Sequence, residues 1–220
     1  MEALSLIRSK VEDASKRAGR LHPPILMAVS KFQPLEKIIA LHREGQRVFG
    51  ENYVQELVAK KQALEAQGIL DCEFHFIGKL QTNKVKQLLP HVKAIHSVDS
   101  LRLLGEIEMR AQAAVLRPEV YVQVNVDCES TKGGFRIEEL DSLCEALSGC
   151  RNLIPAGLMA IPDPGKDPEH AFRQMRQLSE RYQKVVGPGL SMGMSADYEL
   201  AIQHGTTMIR MGTALFGKRE

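Results

Sequence analysis

The chain has 220 residues, 44% of them apolar, enough for one sizeable core in one large domain or two small ones. Its 29 basic and 27 acidic residues nearly cancel. That excludes a broad field for nucleic acid or an anionic membrane, so any bound anion must be held by local groups.

The opening stretch, MEALSLIRSKVEDASKRAGR, mixes charges at helical spacing, and Leu4, Ile7, Val11, Ala14 and Ala18 form one apolar stripe along it. This predicts a first helix, not a leader, and no apolar run elsewhere approaches the roughly 18 residues that span a bilayer. The expected setting is the cytoplasm. PILMAVS (24–30) is a continuous apolar run, as a strand buried on both faces would be. A helix follows on Leu35, Ile38, Ile39 and His42, then a short strand RVFG (47–50), a helix from about Tyr53 to Ala66, and the strand EFHFIG (73–78). KAIHSV (93–98) leads into a helix carrying Leu101, Leu104, Ile107, Ala111 and Ala114. EVYVQVNV (119–126) precedes one carrying Ile137, Leu140, Cys144 and Leu147. After NLIPAGLMA (152–160), Asp167 and Pro168 read as a cap and a first helical residue, opening a helix with Ala171, Met175, Leu178, Tyr182 and Val185. GLSM (189–192) precedes a helix near Asp197 to Gln203, and TTMIRM (206–211) runs into a last turn.

Eight strands separated by crossover helices, with no linker or composition break, predict an α/β fold: a single (β/α)8 barrel domain over residues 1–220. A doubly wound sheet would be expected to carry GxGxxG. The closest approach, Gly187, Gly189 and Gly193, has one residue too many before the third glycine and follows a helix. Cys72, Cys128, Cys144 and Cys150 show no CxxC pair and read as reduced, mostly buried residues, with a disulfide or a Cys72/His75 metal pair as the weaker readings.

A barrel gathers the carboxyl ends of its strands on one face. Lys31 follows the first strand, Glu51 and Asn52 the second, Gly78 the third, Ser97 and Asp99 the fourth, and Asn125 and Asp127 the fifth. The sixth ends at Met159, the seventh at Gly193, Met194 and Ser195, and the eighth at Gly212 and Thr213. The last two loops of such barrels often hold a phosphate on helix amino termini and glycine backbones. Here Ser195 reads as the cap of the next helix, facing Gly212 and Thr213. A lysine and a phosphate cup on one face suggest an aldehyde bearing a phosphate, held as a Schiff base. Pyridoxal phosphate fits that description, and so does a phosphosugar bound by a lysine aldolase.

VSK (29–31), FGENYVQE (49–56), HFIGKLQTNK (75–84), HSVDS (96–100), QVNV (123–126), GLMAIP (157–162), LSMGMSADYELAI (190–202) and TMIRMGTALFG (207–217), in this order, resemble the pyridoxal phosphate homeostasis protein family over nearly the whole chain. The resemblance implies a barrel like the amino-terminal domain of alanine racemase, binding pyridoxal 5'-phosphate through Lys31. It also implies storage and delivery of the cofactor, vitamin B6 and amino-acid balance, and no catalytic turnover. Delivery makes pyridoxal phosphate-dependent apo-enzymes the expected recipients. The implied cofactor-binding set is Lys31, Asn52, His75, Met194, Ser195, Arg210, Gly212 and Thr213. Arg210 would face the ring nitrogen, which a guanidinium cannot protonate. Phe32 and Gln33 depart from the threonine and basic residue frequent in the family, and Ala196 from its glycine or aspartate, so the pocket rim differs.

The alternative is a single-domain racemase or decarboxylase of weak activity. Racemases of this fold take a second base from a tyrosine of another domain, and this chain ends at Glu220, soon after its eighth strand. The expectation is therefore a monomeric carrier, in which only a cysteine or His75 could stand in for that base. The KxG element at Lys132 to Gly134 reads as a solvated charge or a loop tie over the mouth.

Overall fold

The computed structural model describes residues 2–127, 129 and 132–217, so the expectation for Cys128 and the last three residues of FGKRE lie outside it. Eight strands form a closed parallel barrel in chain order: β1 (Ile25–Val29), β2 (Val48–Glu51), β3 (Glu73–Phe76), β4 (Ala94–Val98), β5 (Glu119–Gln123), β6 (Ile154–Met159), β7 (Gly189–Met194) and β8 (Met208–Met211). The barrel closes where Ile25 of β1 lies opposite Met208 of β8 and Ala28 opposite Met211. Strands with both faces covered carry continuous apolar runs, and β4 is buried along its whole length.

The helices are α1 (Glu2–Arg17), α2 (Leu35–Arg43), α3 (Val54–Glu65), α4 (Val85–Leu88), α5 (Leu101–Ala114), α6 (Leu140–Gly149), α7 (Pro168–Val186), α8 (Tyr198–Gln203) and α9 (Thr213–Phe216). α7 and α8 pack on the neighbouring strands β6 and β7, while α1 packs on α8 and α9. In α7, Ala171, Phe172, Met175, Leu178, Tyr182 and Val186 are buried, each large one contributing about 1.5–3 kcal/mol. Asp167 accepts the Glu169 N–H at 3.0 Å and Pro168 opens the helix, as the sequence predicts. The β3–β4 connection, where periodicity names no helix, consists of α4 between 3-10 turns at Thr82–Lys84 and Leu89–His91. Pro90 limits it to short turns, which still bury Val85, Leu88 and Leu89.

The amino-terminal rim of the barrel is bound to itself. Arg8 of α1 donates to the Gly45 carbonyl at 2.9 Å and to Gln46 Oε1 at 3.3 Å. Gln46 Nε2 in turn reaches the carbonyls of Leu26 (2.8 Å) and Val48 (2.7 Å). Thr206, fully buried, lies within hydrogen-bond reach of the Leu190, Met192 and Met208 carbonyls.

Candidate functional site

A cavity of about 700 Å³ opens at the carboxyl ends of the strands, the side where barrels place their chemistry. Lys31, Asn52, Met194, Ser195, Arg210, Gly212 and Thr213 all line it, brought together from four strand ends. Its walls include Ile77, Met159 and Ile161, and the departing residues Gln33 and Ala196 stand at its rim. Gly78 keeps the β3 loop close, because a Cβ there would stand 2.1 Å from the Asn52 carbonyl oxygen.

Lys31 is half-buried at the first residue after Ser30, in a loop whose backbone is gripped from below. The Lys60 ammonium, 8% exposed on α3, donates to the Ser30 carbonyl (2.6 Å), Glu51 Oε1 (2.7 Å) and Glu56 Oε1 (2.6 Å). Ser30 Oγ also donates to Glu51 Oε1 at 2.6 Å, and the Phe32 N–H reaches Glu56 Oε1 at 2.6 Å. Burial pushes the Glu51 carboxyl above its ordinary range, against the pull of Lys60. Sequence reasoning names Glu51 as a strand end but misses Glu56 and Lys60. One signal was available: Lys60 continues the buried stripe Val54, Leu57 and Leu64, where a lysine needs partners.

Across the cavity, the loops after β7 and β8 present donors. No protein acceptor among the described residues takes the N–H groups of Ser195, Ala196, Gly212 or Thr213. The helix cap expected at Ser195 is not built. Gly193, with φ of 92°, turns the chain, and Asp197 closes the turn by accepting the Met194 N–H at 2.6 Å and donating its own to the Met194 carbonyl at 3.1 Å. Asp197 therefore precedes α8, and Ser195 sits exposed at the tip, lining the cavity. At Gly212 the protein leaves room for a side chain, since a Cβ would meet nothing closer than Val29 Cβ at 3.7 Å. Asn52 adds an Oδ1 that is buried with no partner. An unpaired buried acceptor, a row of unpaired N–H donors and a vacant Cβ position are features of a place built for a ligand.

Arg210 enters from β8 and is 5% exposed. Its Nη1 donates to the Ser191 carbonyl (2.8 Å) and Oγ (2.9 Å), and its Nη2 to the Ala160 carbonyl (2.9 Å). Burial lowers its pKa to about 10, so it is cationic at neutral pH. Below it the barrel interior holds a polar chain: Ser191 Oγ to His96 Nδ1 at 3.1 Å, then His96 Nε2 to His75 Nδ1 at 2.9 Å. Tyr121 stacks on His96 at 4.1 Å. Burial lowers His75 to about 4 and His96 well below its usual value, so both rings are neutral. A guanidinium only donates, so Ser191 Oγ accepts from Arg210. One proton is shared between Ser191 Oγ and His96 Nδ1 and another between His96 Nε2 and His75 Nδ1, while His75 Nε2 has no partner.

His75, expected on the cofactor, is therefore displaced from the site: it is 3% exposed inside the barrel and does not line the cavity. Parity on a short strand aims it inward, but its position near the strand's middle places it a layer too deep. It makes no metal pair with Cys72 either. Cys72 lies with His42 and Asp71, whose carboxylate is spent on His42 (2.6 Å) and Arg47 (2.7 Å). Cys144 and Cys150 are free and only half-buried, on a helix and its end, less buried than expected. Lys132 is a loop tie, bonded to the Pro162 carbonyl (3.2 Å) and Glu129 (2.7 Å). Asn125 and Asp127 serve the same loops, through Glu129 and the Asp163 N–H, and not the cavity.

The family model described as "Alanine racemase, N-terminal domain" matches residues 3–220. The pyridoxal phosphate homeostasis protein of Aquifex aeolicus is 43% identical, covering 100% of this chain and 98% of that one. PipY of Synechococcus elongatus, solved without PLP, superposes with a TM-score of 0.89 at 34% identity, over 98% of this chain and 99% of that one. The same protein solved with PLP bound gives 0.81 at 34% identity, over 94% and 99%. Both the barrel and the full-length identity lead to one assignment: the chain belongs to the pyridoxal phosphate homeostasis protein family, built on the alanine racemase N-terminal domain fold.

Proposed function

We propose that this protein binds pyridoxal 5'-phosphate and serves its homeostasis inside the cell, keeping the cofactor in store and in balance with vitamin B6 and amino acids. The observation that carries the reading is the placement of Lys31 and a row of unpaired donors on one cavity of about 700 Å³. When bound, the cofactor supplies an aldehyde that condenses with a lysine amine, releasing water, so that it is held covalently. Lys31 is the residue assigned to that bond. Ser195 Oγ and the N–H groups of Ser195, Gly212 and Thr213 would hold the phosphate. Arg210 would hold the ring nitrogen as a donor without protonating it, Asn52 would meet the ring edge, and Met159 and Met194 would wall it.

The lining also argues for a carrier. Among the described residues no histidine, cysteine, tyrosine or carboxylate lines the cavity, so proton transfer has Lys31 and no second base. His75 and, among the described cysteines, Cys72, Cys144 and Cys150, which could have stood in for that base, lie outside it. Delivery to pyridoxal phosphate-dependent apo-enzymes, a monomeric state and a cytoplasmic site complete the proposal. Among the described residues no helix is long and apolar enough to cross a membrane. The test is a borohydride peptide map of protein loaded with cofactor. The label is expected on the peptide containing Lys31, and Lys31→Ala is expected to bind the cofactor weakly and without a covalent label. A label on any other lysine would overturn the assignment.

A further inference from the structure

We propose that Lys60 is a positioning residue which, with Glu51 and Glu56, holds the loop after β1 in the backbone arrangement that aims Lys31 into the cavity. The inference rests on the reading that Lys31 captures the cofactor, and it concerns how fast that capture is.

A buried ammonium is costly unless its partners compensate, and the stripe Val54, Leu57 and Leu64 would suit a hydrocarbon at position 60. The partners Lys60 has found all converge on the neighbours of Lys31. It bonds the Ser30 carbonyl directly at 2.6 Å. It bonds the Glu51 oxygen that takes the Ser30 hydroxyl, and the Glu56 oxygen that takes the Phe32 N–H. The residues on either side of Lys31 are thus tied to one cation.

The second observation is backbone strain. Phe32 has φ of 62°, a left-handed conformation that is strained for a residue with a Cβ. Burial of its side chain does not offset that strain, because Phe32 is 59% exposed, its ring tilted against that of Tyr53 at 5.1 Å. Two bonds hold the turn, the Gln33 N–H to the Ser30 carbonyl at 3.0 Å and the Phe32 N–H to the Glu56 carboxylate, and Lys60 is bonded to both acceptors. This left-handed residue directly follows Lys31, so relaxing it redirects the Lys31 side chain.

The test uses the full-length protein and pyridoxal phosphate itself, at a temperature well below the melting transition of every variant. Borohydride quenching at successive times, with mass spectrometry of the Lys31 peptide, reads the rate of covalent capture. A separate equilibrium dialysis reads total binding. Lys60→Met is expected to fold and still bind the cofactor, with capture slowed roughly tenfold to 100-fold, as when a reacting group is displaced by about 1 Å. Glu56→Gln keeps an oxygen for the Phe32 N–H and is expected to lose less than Glu56→Ala. A role in fold stability alone would lower the melting temperature and leave the capture rate of the folded protein unchanged. Capture at the parental rate by Lys60→Met, or by Glu56→Ala should Lys60→Met not fold, overturns the inference and leaves Lys31 as the anchor. A parent protein that never labels at Lys31 overturns the underlying reading instead.

Discussion

The two ends of the barrel spend their polar groups differently. At the amino-terminal rim Arg8, Gln46 and Thr206 are consumed by carbonyls of the chain itself. At the mouth, Ser195, Gly212 and Thr213 offer N–H groups that no protein acceptor takes among the described residues, and Asn52 Oδ1 is buried with no partner. The interior chain from Arg210 to His75 belongs with the closed end, apart from its last atom, His75 Nε2. The lesson is that satisfied polar groups mark where the barrel is held together, and unsatisfied ones mark where it waits for a ligand.

The largest effect expected on the closed side is its pH dependence. His75 is held at about 4 against an ordinary 6.5, so the folded state prefers the neutral ring. The stability this confers is present above pH 6.5 and lost as pH falls through about 4, a change on the order of 3 kcal/mol. Urea unfolding at a series of pH values measures it, and His75→Gln should flatten the curve in that window. An unchanged slope would mean that His75 is not the group buried neutral.

Thr206→Val should cost about 1–3 kcal/mol of folding stability, since the isosteric change leaves buried carbonyls without the hydroxyl. Cofactor affinity should not move, and a parallel loss of affinity would break the division between the two ends. Ser195→Ala should do the opposite, weakening cofactor retention by about 1–3 kcal/mol, as when a charged acceptor loses a donor, with little change in melting. Equal retention would place the phosphate elsewhere. The smallest expected effect on the fold is that of Gly212→Ala, within about 0.5 kcal/mol, because the new methyl finds ordinary space beside Val29. Its effect on the cofactor should be plain, because the methyl then occupies the cavity. A variant that melts early instead would show that the vacancy at Gly212 serves the chain and not a ligand.

Most of this architecture was legible in the residues. The periodicity of α1, α5 and α7 and the apolar runs of all eight strands appear with ends displaced by a residue or a few, because a strand leaving a barrel keeps its apolar composition after its pairing stops. Val124 is an example, expected within the fifth strand but forming only an isolated bridge with Phe135. The connection from Thr82 to His91 was illegible as a helix, its turns being too short to show a period. In the site, Lys31, Asn52, Met194, Ser195, Arg210, Gly212 and Thr213 follow from their positions at or near strand ends and from family resemblance, and all of them meet at one cavity.

The sequence by itself determined the barrel, the family and which strand ends carry polar groups, because these rest on local periodicity and on order along the chain. Depth, pairing and strain were decided only by tertiary structure. Whether His75 reaches the cavity or stops a layer below it depends on strand tilt and register around a closed sheet. That Lys60 holds both neighbours of Lys31 depends on α3 packing beneath the loop after β1, which also brings the Glu56 carboxylate to the N–H of the left-handed Phe32. Such contacts join residues about thirty positions apart in the chain for Lys60 and Ser30, and nearly a hundred for His96 and Ser191. No local pattern encodes them, because the energy that selects them exists only once the barrel has closed.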